Sequence, residues 1–185
     1  MTLKEKLILS ALALIEKEGM AGFTIRNVAK GCGVSCAAPY KHFRDKEELF
    51  LAVLDYVKLK WQERIDEITR DFDGDIKEQL VLLCMKYISF VAENPHFRAV
   101  IMLRDDNMTT EQRRRKNELS AYSRELASKW CIRAGYTHEQ TERKTFIVRS
   151  FIYGANSLID NGELKYSEEN LAMIEKCIRR EFLLD

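Results

Sequence analysis

Only two prolines, Pro39 and Pro95, and eight glycines interrupt this 185-residue chain. With so few breaks, and with apolar residues recurring every three or four positions, the chain is expected to be all-α. Leu7, Ile8, Ala11, Leu12, Leu14 and Ile15 mark a first helix, which Gly19 can end because glycine takes positive φ without strain. Thr24 caps a short second helix through Ile25, Val28 and Ala29 that stops at the glycines flanking Cys32. Gly33 then turns the chain, Val34 plugs the core and Ser35 caps a third helix. Asp45 followed by Glu48 is a D-x-x-E variant of the capping box. It opens a long fourth helix with Leu49, Phe50, Val53, Leu54 and Val57 on its inner side.

The remainder reads as further helices, for about nine in all. Leu80 to Glu93 is apolar nearly all round and is predicted to be buried. Asn94-Pro95 begins a short helix carrying Phe97, Val100, Ile101, Met102 and Leu103. A polar link, Asp105 to Asn107, leads to one long helix ending near Gly135; helices from Thr137 to about Asn161 and from Ser167 to about Leu184 follow.

Residues 33 to 44, GVSCAAPYKHFR, do not follow core periodicity. Two helices joined by a tight glycine turn make a helix-turn-helix, whose second helix presents its N-terminal half to base edges in the major groove. Cys36, Ala37 and Ala38 are small enough for close approach, and Pro39 falls in the first turn, where a missing amide is tolerable. Tyr40, Lys41 and His42 supply groups able to bond phosphate oxygens, while Phe43 turns inward. Lys46 lies at the amino end of the fourth helix, where free amides and the helix dipole already favour an anion. The charge distribution agrees. Residues 1–46 hold eight Lys and Arg against four Asp and Glu, and the rest hold 22 against 25, a basic head on an acidic body.

The run FTIRNVAKGCGVSCAAPYKHFRDKEELFLAVL, Phe23 to Leu54, resembles the signature of the TetR family of transcriptional regulators, with a matching first helix in ILSALALIEKEG. The resemblance covers about the first 55 residues. It implies a three-helix DNA-binding head, residues 1–46, and a helical effector-binding and dimerising body, residues 47–185, acting as a homodimer on a double-stranded DNA operator. Carried over by position, Arg26 matches a base- or phosphate-contacting site, Cys36, Ala37 and Ala38 match base-facing ones, and Tyr40, His42 and Lys46 match phosphate-contacting ones. With Thr24, Ser35 and Lys41 these form the expected DNA-binding set. Asn27 departs from the family's usual acidic residue, and cysteine with two alanines replaces more polar readers. Specificity is therefore expected to lean on Arg26, thymine methyls and DNA shape.

Within the body, Trp61, Ile65, Met85, Ile88, Phe97, Met102, Tyr122, Trp130 and Phe151 are candidates to line a pocket for a small, mainly apolar or aromatic effector; core packing is the plain alternative for each. Ser150, Gly154 and Ser157 line one side of an apolar helix where small residues allow close helix approach, a candidate dimer interface with the last helix. Packing within one chain is the alternative there. The basic run Arg113 to Lys116 reads as a solvated face.

Five cysteines without paired short spacing suggest reduced thiols, Cys36 being a possible thiol sensor but more simply a small residue for close approach. His42, His96 and His138 lack metal-ligand spacing, so no metal or other cofactor is expected. No nucleophile elbow, phosphate-cradling glycine loop or His-acid constellation argues for an enzyme, although an enzyme in a helical fold and a protein-binding helical module are the alternatives to a regulator. No apolar run approaches the roughly 20 residues of a bilayer span, and the expected location is cytoplasmic.

Overall fold

The structure, a computed structural model, describes residues 1–103 and 108–182. Among these, secondary structure is helical throughout: α1 (Leu3–Gly22), α2 (Ile25–Gly31), a 3-10 turn (Pro39–Lys41), α3 (Lys46–Thr69), α4 (Ile76–Glu93), α5 (Pro95–Ile101), α6 (Thr110–Glu118), α7 (Ala121–Arg133), α8 (His138–Asp160) and α9 (Glu168–Glu181). The caps read from sequence at Thr24 and Asp45 form as hydrogen bonds. Thr24 Oγ1 accepts from Asn27 N at 3.1 Å, and Asp45 Oδ1 accepts from Glu48 N at 2.8 Å. Thr109 with Gln112 and Thr137 with Gln140 close full capping boxes. Gly19 leaves helical geometry at φ 65°, but it kinks α1 rather than ending it, and the helix resumes to Gly22. The polar link Asp105 to Asn107 and the end of the last helix near Leu184 lie outside the described residues.

The helix count agrees with the sequence, but two helices are distributed differently. The third helix contracts to the 3-10 turn, with Ala38 rather than Ser35 at its N-cap. Pro39 has no N–H to donate to Ser35 O, so the stretch closes with shorter bonds: Ala38 N to Ser35 O at 3.0 Å, Lys41 N to Ala38 O at 3.2 Å and His42 N to Pro39 O at 2.9 Å. Conversely, the long helix expected before Gly135 breaks into α6 and α7. The amide of buried Leu119 bonds Lys116 O at 3.2 Å, and Ser120 leaves helical geometry at φ −103°, ψ 7°.

The chain divides into two compact units, Met1–Glu63 with Asn94–Leu119 and Arg64–Glu93 with Ser120–Asp185, so the α6/α7 break falls where the chain passes from one to the other. In the first unit α1 packs on α2 and α5. Leu7, Leu12, Val28, Phe43, Phe50, Val53, Trp61 and Val100 are almost fully buried in its core. In the second, α4 packs on α7, α8 and α9 around Leu80, Leu83, Ile88, Val148 and Ile178. The stretch Leu80 to Glu93 is only partly buried: Leu80, Val81, Leu83, Cys84, Ile88, Phe90 and Val91 are buried, Leu82, Met85, Tyr87, Ser89 and Ala92 are half-buried, and Lys86 and Glu93 are exposed.

Candidate nucleic-acid interface

The helix-turn-helix is held by a few short-range contacts. Ser10 Oγ on α1 donates to Val28 O on α2 at 3.1 Å. A Cβ at Gly31 would run into that Ser10 hydroxyl and displace it from Val28 O, so glycine here keeps the α1–α2 bond in place. Gly33 takes φ 66°, and the amide of Val34 returns to Ala29 O at 3.0 Å, closing the turn. Val34 is half-buried rather than fully inserted.

Beyond this turn the chain alternates anchors with exposed groups. Pro39 and Phe43 are buried, whereas Ser35, Cys36, Ala37, Tyr40, Lys41 and His42 are exposed and Ala38 is half-buried. Tyr40, 58% exposed, is a large apolar ring that no core contact explains. Arg26, the second residue of α2, is exposed two positions after the Thr24 cap. Lys46 Nζ lies 5.2 Å above the Phe23 ring and 3.5 Å from Met20 O, which places its ammonium beside the start of α2. Of the residues expected from sequence to contact DNA, Thr24, Arg26, Ser35, Cys36, Ala37, Tyr40, Lys41, His42 and Lys46 are exposed and Ala38 is half-buried.

Two side chains there are used structurally. Asn27 Nδ2 donates to Gly22 O at 2.9 Å, a bond that a carboxylate in the same place would be unable to make. This accounts for the departure at Asn27. Arg44 bonds Glu48 through its amide at 2.7 Å and its Nε at 3.0 Å, and these contacts, the amide first, hold the Glu48 carboxyl below the ordinary carboxylate range. The capping box of α3 is therefore closed through Arg44, one residue ahead of the Asp45 cap.

The basic run on α6 is an ion-pair network rather than a free face. Arg114 pairs with Glu111 at 2.7 Å and also with Glu118, while Arg115 bonds Glu111 at 2.8 Å and reaches Asp55 on α3. Lys58 of α3 meets Glu118 at 2.6 Å. Arg114 and then Arg115 hold the Glu111 carboxyl down at about 2. Sequence reasoning missed this because Asp55 and Lys58 precede the run by about 60 residues.

Of the candidate effector residues, Trp61, Phe97 and Met102 belong to the first unit and Ile65, Met85, Ile88, Tyr122, Trp130 and Phe151 to the second. Trp61, Ile65, Ile88 and Trp130 are buried, Met85, Phe97, Met102 and Tyr122 are half-buried, and Phe151 is 40% exposed. Core packing accounts for part of this set. Phe97 meets Tyr56 edge-on at 6.2 Å, and Trp130 meets Phe182 edge-on at 5.0 Å. Burial pushes the Cys84 thiol up to about 12, and it also raises that of Cys131, so both behave as packing residues.

Helix α8 carries an unpartnered apolar face. Phe146, Ser150, Tyr153 and Ser157 follow one another at helical spacing, with Gly154 and Leu158 beside them. Phe146 is 71%, Tyr153 44% and Leu158 42% exposed, and a Cβ at Gly154 would meet nothing within 4 Å. Among the described residues no group of three His, Cys, Asp or Glu side chains is placed to hold a metal ion, and no helix is long and apolar enough to cross a membrane.

Residues 7–53 match the family model described as bacterial regulatory proteins, tetR family. Over 176 residues the chain is 26% identical to the uncharacterised HTH-type transcriptional regulator YerO of Bacillus subtilis, a match covering 91% of this chain and 60% of YerO. Over 90 residues it is 34% identical to the nucleoid occlusion factor SlmA of Aliivibrio fischeri, covering 48% of this chain and 45% of SlmA. These matches thus span about half to three-fifths of the relatives' length. The fold also matches the solved transcriptional regulator FadR from Bacillus subtilis in complex with stearoyl-CoA, with TM-score 0.72, 18% identity and 96% of each chain covered.

Proposed function

We propose that this chain, whose residues 7–53 match the tetR family model, is a DNA-binding transcriptional regulator of the TetR family, a repressor released from a palindromic operator by a small, mainly apolar or aromatic effector. The observation that carries this reading is the exposure of the small residues Ser35, Cys36 and Ala37 and, behind them, of the phosphate-bonding groups Tyr40, Lys41 and His42, together with exposed Arg26 and Lys46. Residues 1–46 act as the DNA-binding head, and residues 47–185 bind effector and dimerise. The chain is not an enzyme in this reading. An electrophoretic shift on genomic fragments, including the promoter beside its own gene, is the test; no shifted fragment at low micromolar protein would remove the regulator reading and favour a protein-binding module.

A palindromic operator requires two heads, and the open face of α8 supports dimerisation through α8 and α9. In a single chain leucine at position 154 has room, since nothing lies within 4 Å of its Cβ, so Gly154→Leu is expected to leave helicity intact. Across a close helix pair the same side chain is obstructive, and much weaker dimers or monomers are expected. Sedimentation alongside circular dichroism reads both quantities. A variant still dimeric at low micromolar concentration would place the interface elsewhere.

Regulation in this reading runs along α3, which is continuous from Lys46 past Trp61 and Ile65. At 1.5 Å per residue these positions lie about 23–28 Å apart, so displacing one end moves the other. The effector favours an arrangement that spreads the two heads beyond the roughly 34–36 Å spacing of successive major grooves. Linkage then requires that operator weaken effector binding by the same factor as effector weakens operator binding, with a coupling of about 1–3 kcal/mol. Calorimetry with and without saturating operator measures it. Equal effector affinities, for a compound that still releases DNA, would point instead to direct competition in the head or to covalent chemistry at Cys36.

A further inference from the structure

Helix α1 turns one face away from the core of the first unit. Lys6, Ala13 and Lys17 fall nearly in line along it, because the step from Lys6 to Lys17 makes close to three full turns. With Leu9 of α1 and Gly31 at the end of α2 they line a groove of ≈ 460 Å³. Leu9 is 37% exposed, Ala13 is exposed and Leu14 is half-buried. An apolar strip thus runs between two lysines that stand about 16 Å apart along the helix axis. None of the residues expected from sequence to contact DNA, an effector or a second copy lines this groove.

The two lysines are not neutralised within α1. The residues one turn from Lys6 are Thr2, Leu3, Leu9 and Ser10, and those one turn from Lys17 are Ala13, Leu14, Met20 and Ala21, none of them a carboxylate. The three acids of α1 are used elsewhere. Glu5 accepts from the Thr2 amide at 2.6 Å in the N-terminal cap, and Glu16 pairs with His96 of α5. Glu18 lines the groove, but its carboxylate folds over Gly22, with Oε2 2.5 Å from where a Cβ there would stand. Among the described residues neither lysine forms a salt bridge, in contrast to Lys58 and Lys60 of α3.

The other polar groups of the groove are turned inward. Ser10 Oγ donates to Val28 O at 3.1 Å, and Cys32 Sγ donates to Lys6 O at 3.3 Å. A nucleic-acid backbone here would meet two ammonium groups and an apolar strip, with no further side-chain donor for its phosphates. A compact ligand would reach one lysine at a time. We propose that this groove docks an acidic amphipathic helix of another protein, with Lys6 and Lys17 bracketing its apolar face. Two carboxylates three turns apart on that helix face the lysines, and apolar residues at i, i+4 and i+7 between them lie on Leu9, Ala13 and Leu14. The exposed methyl of Ala13 leaves room for them at the middle of the strip. This surface lies outside the DNA-binding residues and does not depend on that reading.

The probe is a fluorescein-labelled, acetylated and amidated helical peptide of roughly 16 residues of alanine and glutamine, with leucines at i, i+4 and i+7 bracketed by two glutamates three turns apart. Its counterpart carries lysines in place of the glutamates. In anisotropy titrations with the full chain, the acidic peptide is expected to bind with a Kd of about 10–300 µM and to weaken with added salt, and the lysine peptide to bind at least about tenfold more weakly. Lys6→Glu combined with Lys17→Glu is expected to reverse that order. Leu9→Gln, similar in size at a partly exposed position, is expected to weaken the acidic peptide without removing its advantage over the lysine peptide, with helicity unchanged by circular dichroism. The proposal falls if the acidic peptide shows no saturable binding below about 1 mM, if the two peptides bind alike, or if the double charge reversal leaves their order unchanged. It falls equally if neither peptide binds while the double variant lowers the salt slope for duplex DNA, which would assign both lysines to phosphates. A chain that takes up the acidic peptide but shifts no DNA fragment retains this surface while losing the operator reading.

Discussion

Phe50→Ala is expected to cost about 3–5 kcal/mol, a large part of the roughly 5–15 kcal/mol that holds a typical domain folded. Phe50 is 1% exposed, and its ring lies 5.9 Å from that of Phe23, which has no exposed surface. Phe23 in turn lies beneath the ammonium of Lys46 and immediately precedes the Thr24 cap of α2. The cavity therefore opens under the surface that presents Arg26 and Lys46, so DNA binding should fail together with stability. Denaturant unfolding followed by circular dichroism measures the cost, and Phe50→Leu, nearer in volume, should lose less than about 1.5–2 kcal/mol. A Phe50→Ala loss below about 1 kcal/mol would mean that this ring pair is not part of a closely packed core.

Arg26→Ala and Lys46→Ala separate two kinds of DNA contact. Arg26→Ala should cost about 1–3 kcal/mol per half-site, twice that for a dimer on a palindrome, and should relax preference at one position of each half-site. Lys46→Ala should weaken all sequences alike and lower the salt slope by about 1 per lost phosphate contact. Both side chains are exposed, so neither substitution opens a core cavity. Titrations at several salt concentrations on matched and altered operators distinguish the cases. An Arg26→Ala protein with unaltered affinity and preference would remove that residue from base readout.

These predictions rest on parts of the molecule that were legible before any coordinates. The helix-turn-helix is coded by neighbours: Thr24 caps three residues ahead, Gly33 supplies its own positive φ, and Asp45 meets Glu48 within one turn. The inward rings and aliphatics of α1 and α3 follow the helical period, because burial on one face is what creates that period. Pro39 is just as local, yet it shortens the third helix rather than merely opening it. Its missing amide falls where the third helix would make its first full-length bond, and the recognition element becomes a short 3-10 turn.

The information carried along the chain is therefore local: an all-helical pattern, the caps and glycine stops of most helices, and the motif in its first 55 residues. Tertiary structure decided which charges find partners and which faces stay open. Arg115 and Lys17 are both cations on helices, yet Arg115 meets Asp55 across from α6, while Lys17 lines an open groove with no salt bridge among the described residues. It likewise decided that α6 and α7 are separate helices, since the break at Leu119 and Ser120 falls where the chain leaves one packed unit for the other. Caps and periods depend on residues within a turn or two, so one stretch of chain encodes them. Ion pairing and helix breaks depend on groups brought together by folding, 60 residues apart for Arg115 and Asp55, and no local pattern records them.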